Sequence, residues 1–283
     1  MSSRIYDDFN EVEKDIEDNE PKYIYKYRND WKQEQNRDFL IKRLAWFAAP
    51  RTLNDRYDMR VPLKFDALEV DTPEFYNKLK KGFKIIYKDE NLSELQIEEA
   101  CRNKMIEIKS DPKEYFEKNY RQMTESDLFD CIGLFSCTSD ALNEAMWAYY
   151  GGNHCGYVVG FKTVELARDF QKNIGKVKYN DDPVVYSFIK EEQANDLDSY
   201  FQKSSKWINE KEFRFFSFGI NREDDRLEKY STKSVEEFIL GSQFPNDQKE
   251  DFIKTVREQY LDIPIYQVQA KSDSFDLGKI RIA

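Results

Sequence analysis

Histidine occurs once in this chain, at His154, which excludes a metal site built from several histidines. Cysteine occurs four times, at Cys101, Cys131, Cys137 and Cys155, with no C-x-x-C pair. Free, buried thiols are therefore expected, and disulfides are not. No stretch approaches the roughly 18 apolar residues of a membrane span. The longest obvious apolar run is Leu44 to Ala49. Met1-Ser2-Ser3-Arg4 leads into acidic sequence instead of an apolar signal core. These features predict a cytoplasmic protein with no membrane partner. The G-x-S-x-G elbow of a serine hydrolase is missing. Internal repeats and low-complexity tracts are missing as well.

What is present is aromatic and acidic. The 283 residues include 21 Phe and 18 Tyr, with 40% hydrophobic and 35% charged residues, enough to bury an aromatic-rich core. Lys and Arg total 44 against 54 Asp and Glu, giving a net charge of −10. Such a chain repels phosphate and makes a poor non-specific nucleic-acid binder, although a local basic groove stays open. Acids crowd the first residues (Asp7, Asp8, Glu11, Glu13, Asp15, Glu17, Asp18 and Glu20 against Lys14), which predicts a solvated leader or short surface helix over 1–20. An acidic arm covering a basic site is the alternative.

The pattern predicts an α+β fold with a mixed or antiparallel central sheet over residues 21–283, interrupted by a helical insertion at about 72–128. Tyr23 to Arg28 alternates as a half-buried strand does. Leu44 to Ala48 reads as another strand, and Pro50 to Asp58 as a turn-rich loop. Thr72-Pro73, the Ser93/Gln96 capping box and Asp111-Pro112 mark three helix starts in the insertion. Further strands are expected at 132–137, 156–161, 176–179, 183–187, 212–218, 235–240, 264–269 and 278–282. Helices are expected at 163–174, 190–205 and 246–259. Ser234 and Glu237 mimic a capping box, but Phe238-Ile239-Leu240-Gly241 reads better as a buried strand ending in a turn.

One region concentrates polar and aromatic side chains beside flexible backbone, as binding clefts do. It runs from Leu134-Phe135-Ser136-Cys137-Thr138-Ser139 to Ala145-Met146-Trp147-Ala148-Tyr149-Tyr150-Gly151-Gly152-Asn153-His154 and on to Phe161. Ser136 and Thr138 point the same way on a strand and can hold ribose or cap the strand end. Trp147 and Tyr150 share a helical face and can stack on a heterocycle or fill the core. His154 is expected to orient the glycine-rich turn. Upstream, Lys26 and Arg28 share one strand face, and Tyr25 and Tyr27 the other. Arg28 can grip phosphate bidentately or stack on an aromatic as a surface residue. Downstream, Glu210, Glu212 and Arg214 share a face, opposite Phe213 and Phe215. Paired carboxylates can stabilise developing positive charge, or form a salt-bridge ladder.

The order Arg28, then Ser136 and Thr138, then Glu210 and Glu212 resembles the Arg–Ser–Glu branch of ADP-ribosyltransferases. Cleavage of the nicotinamide–ribose bond passes through an oxocarbenium-like state and needs such groups. This resemblance implies an ADP-ribosyltransferase-like sheet and NAD as substrate, with no metal. Glu212 would be the catalytic carboxylate, with Glu210 assisting the acceptor. Arg28 with Tyr27, and Ser136 with Thr138, would hold the pyrophosphate and ribose. Trp147 or Tyr150 would stack on nicotinamide, and Asn54 and Asp58 would shape the adenine or acceptor side.

A broader resemblance covers roughly residues 23–270. Tyr25-Lys26-Tyr27-Arg28, Leu53-Asn54-Asp55-Arg56-Tyr57-Asp58, Phe135-Ser136, Met146-Trp147-Ala148-Tyr149-Tyr150, Gly156-Tyr157-Val158-Val159-Gly160-Phe161, Lys206-Trp207, Glu210-Lys211-Glu212-Phe213-Arg214 and Ile239-Leu240-Gly241 together resemble the bacterial and phage family catalogued as domain of unknown function 2971. Arg56 stands where that family's loop usually has proline. The family names no activity. Its distribution implies a toxin or phage-defence effector, with an acceptor macromolecule and a regulatory or antitoxin partner. Two rival readings stay open. One is a non-catalytic sensor binding a nucleotide or protein. The other is a metal-dependent nuclease using Asp55, Asp58, Glu210 and Glu212.

Overall fold

The computed structural model describes residues 13–14, 16–18, 20–88, 92–125, 130–189 and 200–283. The chain divides into two compact units. The first comprises Met1–Leu53, Asp130–Asn180 and Lys203–Ala283, and the second Asn54–Phe129 and Asp181–Gln202. Most of the expected acidic leader lies outside the described residues. Ile16, at its end, is buried in the core of the first unit.

An eight-stranded mixed sheet forms the first unit. Its strands are β1 (Tyr23–Arg28), β2 (Gly133–Thr138), β3 (Tyr157–Lys162), β4 (Asn173–Lys176), β5 (Glu212–Ser217), β6 (Val235–Leu240), β7 (Ile265–Ala270) and β8 (Leu277–Arg281). In space they run β8-β7-β6-β3-β1-β2-β5-β4. Only β6 and β7 pair in parallel; the other neighbours are antiparallel. The α+β reading with a mixed sheet therefore holds. Phe238 to Leu240 form a buried strand, as their continuous apolar run requires. The helix expected over 190–205 falls largely outside the described residues. Where the chain is described, Gln202 and Lys203 are extended.

Alternation along these strands sorts the side chains onto two faces. One face is aromatic. Phe135, Tyr157, Phe161, Phe213, Phe215 and Phe238 join one core there with Phe39 and Leu40 of α1 (Glu34–Ile41), and the Phe39 ring meets those of Phe135 and Phe161. Burying each Phe contributes about 1.5–3 kcal/mol. On the opposite face, Tyr27, Val158 and Ile239 pack under Trp147 of the short helix α2 (Glu144–Tyr149). That face also carries a row that crosses five strands. Register pairs Glu237 with Gly160, Gly160 with Tyr25, Tyr25 with Thr138, and Thr138 with Glu212.

The second unit is helical. Pro73–Ile86 starts with the Thr72 hydroxyl accepting from Phe75 N, and Glu94–Ser110 starts with a complete Ser93/Gln96 capping box. A third helix spans Pro112–Glu125. Val70, Phe75, Ile108 and Phe116 form its core. The insertion expected over 72–128 is the main part of this unit, which also takes in a short parallel pair, Leu63–Phe65 with Val184–Tyr186. Among the described residues, no helix is long and apolar enough to cross a membrane.

Two glycines of the sequence motif are fixed by close backbone approach. A Cβ on Gly156 would lie 2.0 Å from the carbonyl oxygen of Arg28, and one on Gly241 would lie 2.0 Å from that of His154. The two are joined by a hydrogen bond from Gly241 N to Gly156 O (2.9 Å). The clash at Gly156 is with backbone, which cannot swing aside. Gly156→Ala is expected to cost at least about 2 kcal/mol in urea unfolding followed by circular dichroism. Gly82→Ala is the control. Among the described residues, nothing lies within 4 Å of a Cβ at that helical glycine. It should gain up to about 1 kcal/mol from helix propensity.

Candidate functional site

Glu212 opens β5 and sits almost fully buried between two cations. Arg214 grips it with both arms, Nε to Oε1 at 2.7 Å and Nη2 to Oε2 at 2.9 Å. Lys203 Nζ stands 3.3 Å from Oε2. Arg214 is 0% exposed and Lys203 3%. Burial works against the charge on Glu212, but Arg214 and Lys203 outweigh it, and the Ser136 hydroxyl adds a hydrogen bond. The carboxyl is held down at about 2. Tyr179 OH accepts from Glu212 N at 2.9 Å.

Glu210 shares Lys203 with it. Lys203 Nζ donates to Glu210 Oε2 at 2.6 Å, and Tyr150 OH donates to Oε1 at 2.6 Å. Between the two glutamates Lys211 takes a left-handed φ of 45°, which ends a 3-10 turn over Ser205–Glu210 and lets both carboxylates face the same ammonium. Burial pushes the Glu210 carboxyl up, and the Glu212 charge pushes the same way against the pull of Lys203. Two carboxyls on one lysine are thus driven in opposite directions.

Glu210 also lines a cleft of about 290 Å³ with Met146, Tyr149, Lys206, Trp207 and Asn209. Asn143 joins the cleft's two walls. Its side chain caps α2 by accepting from Met146 N (3.1 Å) and donates to Asn209 O (2.5 Å). The Trp207 ring lies 4.9 Å from Lys203 Nζ. The cleft therefore offers aromatic surface, an exposed ammonium, an amide and one carboxyl of raised pKa.

Residues 146–215 match the model of a family described as protein of unknown function (DUF2971). This bears out the DUF2971 resemblance over that stretch. No curated protein and no solved structure matches the chain. The DUF2971 stretch runs from α2 into β5, so it holds Lys203, Glu210, Glu212 and Arg214 together with most of the cleft wall.

The residues singled out from sequence fall into different places. Ser136 and Glu212 meet, and Thr138 stands opposite Glu212 in register, fully buried, with its hydroxyl accepting from Asp140 N at 3.1 Å. Tyr150 joins them through Glu210. Arg28 does not. It leaves β1 toward the aromatic face, with its guanidinium 4.3 Å over the Phe39 ring, while Ser136 and Glu212 alternate to the other face. The sheet separates Arg28 from the carboxylates. Tyr27 lies on the carboxylate face, where its hydroxyl donates to Asp140 O at 3.0 Å and its ring meets Trp147 edge-on. Trp147 is 0% exposed and donates Nε1 to Ala141 O, so its ring is core and no ligand can stack on it. His154 stacks on Trp147, places Nε2 3.2 Å from Glu144 Oε1, and accepts from Gln243 N at its carbonyl.

Asn54, Asp55 and Asp58 belong to the second unit. Asn54 is exposed, and Asp55 accepts from Tyr57 N and, through its carbonyl, from Asp58 N. Among the described residues no group of three or more His, Cys, Asp or Glu side chains could hold a metal ion. Sequence reading missed Lys203, Tyr179 and Asn143. Lys203 was hidden in a stretch read as helix.

The two carboxyls titrate with opposite consequences. Glu212 is lowered in the folded chain, so its stabilisation is present above the ordinary value of 4.5 and is lost as pH falls toward about 2. Glu210 is raised, so its contribution is present below 4.5 and is lost as pH rises through its folded value. Glu212→Gln should therefore cost about 3 kcal/mol at pH 7 in urea unfolding, and the deficit should shrink between pH 4.5 and about 2. A deficit independent of pH would mean that the charge does not stabilise the fold.

Proposed function

We propose that the cleft beside Glu210 takes the nicotinamide end of NAD, and that the protein cleaves its N-glycosidic bond or transfers the ADP-ribose. The observation that supports this is the split pair. Glu212 is saturated by Arg214 and Lys203, while Glu210 borders open space with its carboxyl pushed up. Carboxyls driven apart in this way suit acid–base and cation-stabilising work. The roles expected of the two glutamates are exchanged in this reading. Glu210 acts at the reacting carbon, and Glu212 positions Lys203 and Ser136 around it.

In the hydrolytic version, the bond between ribose C1′ and the nicotinamide nitrogen breaks, and its electron pair leaves with neutral nicotinamide. Ionised Glu210 stabilises the ribosyl cation and takes a proton from the attacking water as the C1′–O bond forms. The products are ADP-ribose, nicotinamide and a proton. An acceptor hydroxyl or carboxylate in place of water gives transfer. Trp207 and Tyr149 offer stacking surface and Asn209 an amide for the carboxamide. An ADP-ribosyltransferase-like fold and a toxin or phage-defence role form part of the same proposal. The fold is supported by Ser136 and Glu212 meeting across antiparallel β2 and β5.

Incubation of the purified protein with NAD, with and without cell lysate, should release nicotinamide. Glu210→Gln should lower the rate at least about a hundredfold with circular dichroism unchanged. No release by the wild type in either condition would overturn the proposal, and saturable NAD binding without release would identify a sensor module. The rate should rise with pH as Glu210 ionises, at a midpoint above 4.5. Tyr150→Phe removes a hydrogen bond that holds the Glu210 carboxyl down, so it should move that midpoint further up. A midpoint unmoved by Tyr150→Phe would show that another group controls the profile.

A further inference from the structure

Lys26 and Arg28 are charged groups of the sheet that the cleft leaves unused. Both leave β1 toward the aromatic face, about 7 Å apart along the strand. Lys26 Nζ donates to Ser136 O at 2.6 Å and lies 4.6 Å from the centre of the Phe135 ring. The Arg28 guanidinium lies over Phe39, and its Nε is buried and meets no acceptor among the described residues. A guanidinium carries five donors, and leaving a buried donor unmet is costly.

Among the described residues, the groups around these two cations on the aromatic face supply no counter-charge. Burial pushes the Cys137 thiol up to about 12. It pushes the Tyr157 and Tyr230 hydroxyls up too, and both donate their protons to backbone, to Asn36 O and Phe39 O. Glu212 lies on the opposite face, committed to Arg214 and Lys203, and its charge favours the Lys26 ammonium only as a lesser effect beside burial and Arg28. Two like cations therefore share an apolar surrounding. Burial lowers Lys26 to about 8, with the neighbouring Arg28 charge adding to the effect, and lowers Arg28 as well. Such an arrangement is strongly relieved by one anion between them.

We propose that Lys26 and Arg28 form a binding site for a phosphate-type oxyanion on the aromatic face of the sheet, on the side away from Glu210. The planar guanidinium takes two oxygens and the ammonium a third. Arg28 ends β1 and is half-buried, and Asn29 and Asp30 after it are exposed. The ligand is either free phosphate or the phosphoryl end of a nucleotide.

Inorganic phosphate, titrated against the full chain at pH 7 with chloride balancing ionic strength, should bind one per chain by calorimetry and raise the melting temperature. ADP binding tighter than phosphate would assign the site to a nucleotide, and equal affinities would assign it to the free anion. Arg28→Lys keeps the charge and a similar stem but loses the fork, and should weaken binding about tenfold. Lys26→Met removes one of the like charges. It should raise the melting temperature without phosphate and shrink the rise that phosphate gives. Sulfate has a fixed charge in this range, so its affinity should fall as pH rises through about 8 and Lys26 loses its proton. A melting temperature in phosphate equal to that in chloride would overturn the proposal. So would unweakened binding by Arg28→Lys. These readouts need no turnover, so they stand or fall separately from nicotinamide release.

Discussion

A carboxylate in a sheet buried on both faces can stay ionised only if its counter-charges are buried with it. Glu212 meets this condition through Arg214, two residues along the same strand, and Lys203, which arrives from outside the sheet. The first partner is automatic, because residues i and i+2 of a strand share a face. The second requires a particular path of the chain. Lys203 must approach, the 3-10 turn over Ser205–Glu210 must follow, and Lys211 must take its left-handed φ before β5 begins. Removing the carboxylate leaves two buried cations, and removing either cation leaves an under-compensated anion, which is the costly direction for a buried pair. The 3-10 turn, the cap on α2 and the start of β5 are all built around this one charge cluster.

The cluster also divides labour between the glutamates. Glu212 is too well satisfied to meet a ligand, since both its oxygens are bonded to Arg214. Glu210 is bonded as well, but by Tyr150 and by a lysine that it shares, and it stands at the wall of the cleft. Of the two, it is Glu210 that borders the cleft, so access separates them before any consideration of basicity. Trp147 makes the complementary point. Its position three residues before Tyr150 makes it look like half of a stacking wall, yet its indole is anchored to Ala141 O and closes the small core over Tyr27 and Val158.

Much of the fold was legible because its elements carry local signals. The strand over 235–240, the helix over Asn246–Gln259 and both helix caps at Thr72 and Ser93 follow from alternation, periodicity and capping chemistry alone. The same alternation placed Lys26 with Arg28 and Ser136 with Thr138. It could not say which strands become neighbours or in which register, and that decides which faces coincide. Tyr25 pairs with Thr138, so the tyrosines of β1 share a face with Ser136, Thr138 and Glu212, and Arg28 is sent to the other side. Lys203 was illegible for a different reason. It is isolated in a polar stretch with no periodic partner, and its role comes entirely from tertiary placement.

The separation of Arg28 from the carboxylates bears on how a dinucleotide could sit here. A cleft of about 290 Å³ lies at the lower end of ligand-pocket sizes, room for a pyridine ring and its amide but not for a whole dinucleotide. The remainder would have to lie across the outer surface. Cations there must then meet the pyrophosphate, and among the described residues Lys206 is the cation at the cleft wall. An exposed ammonium holds phosphate less specifically than a buried guanidinium fork, because it is a well-hydrated point charge on a flexible stem. Binding energy for the dinucleotide would come mainly from stacking on Trp207 and Tyr149 and from the cleft's polar groups, with the phosphates adding a salt-sensitive share. Arg28, by contrast, combines a fork with an apolar surrounding, which is the better phosphate ligand of the two, and it faces the other way.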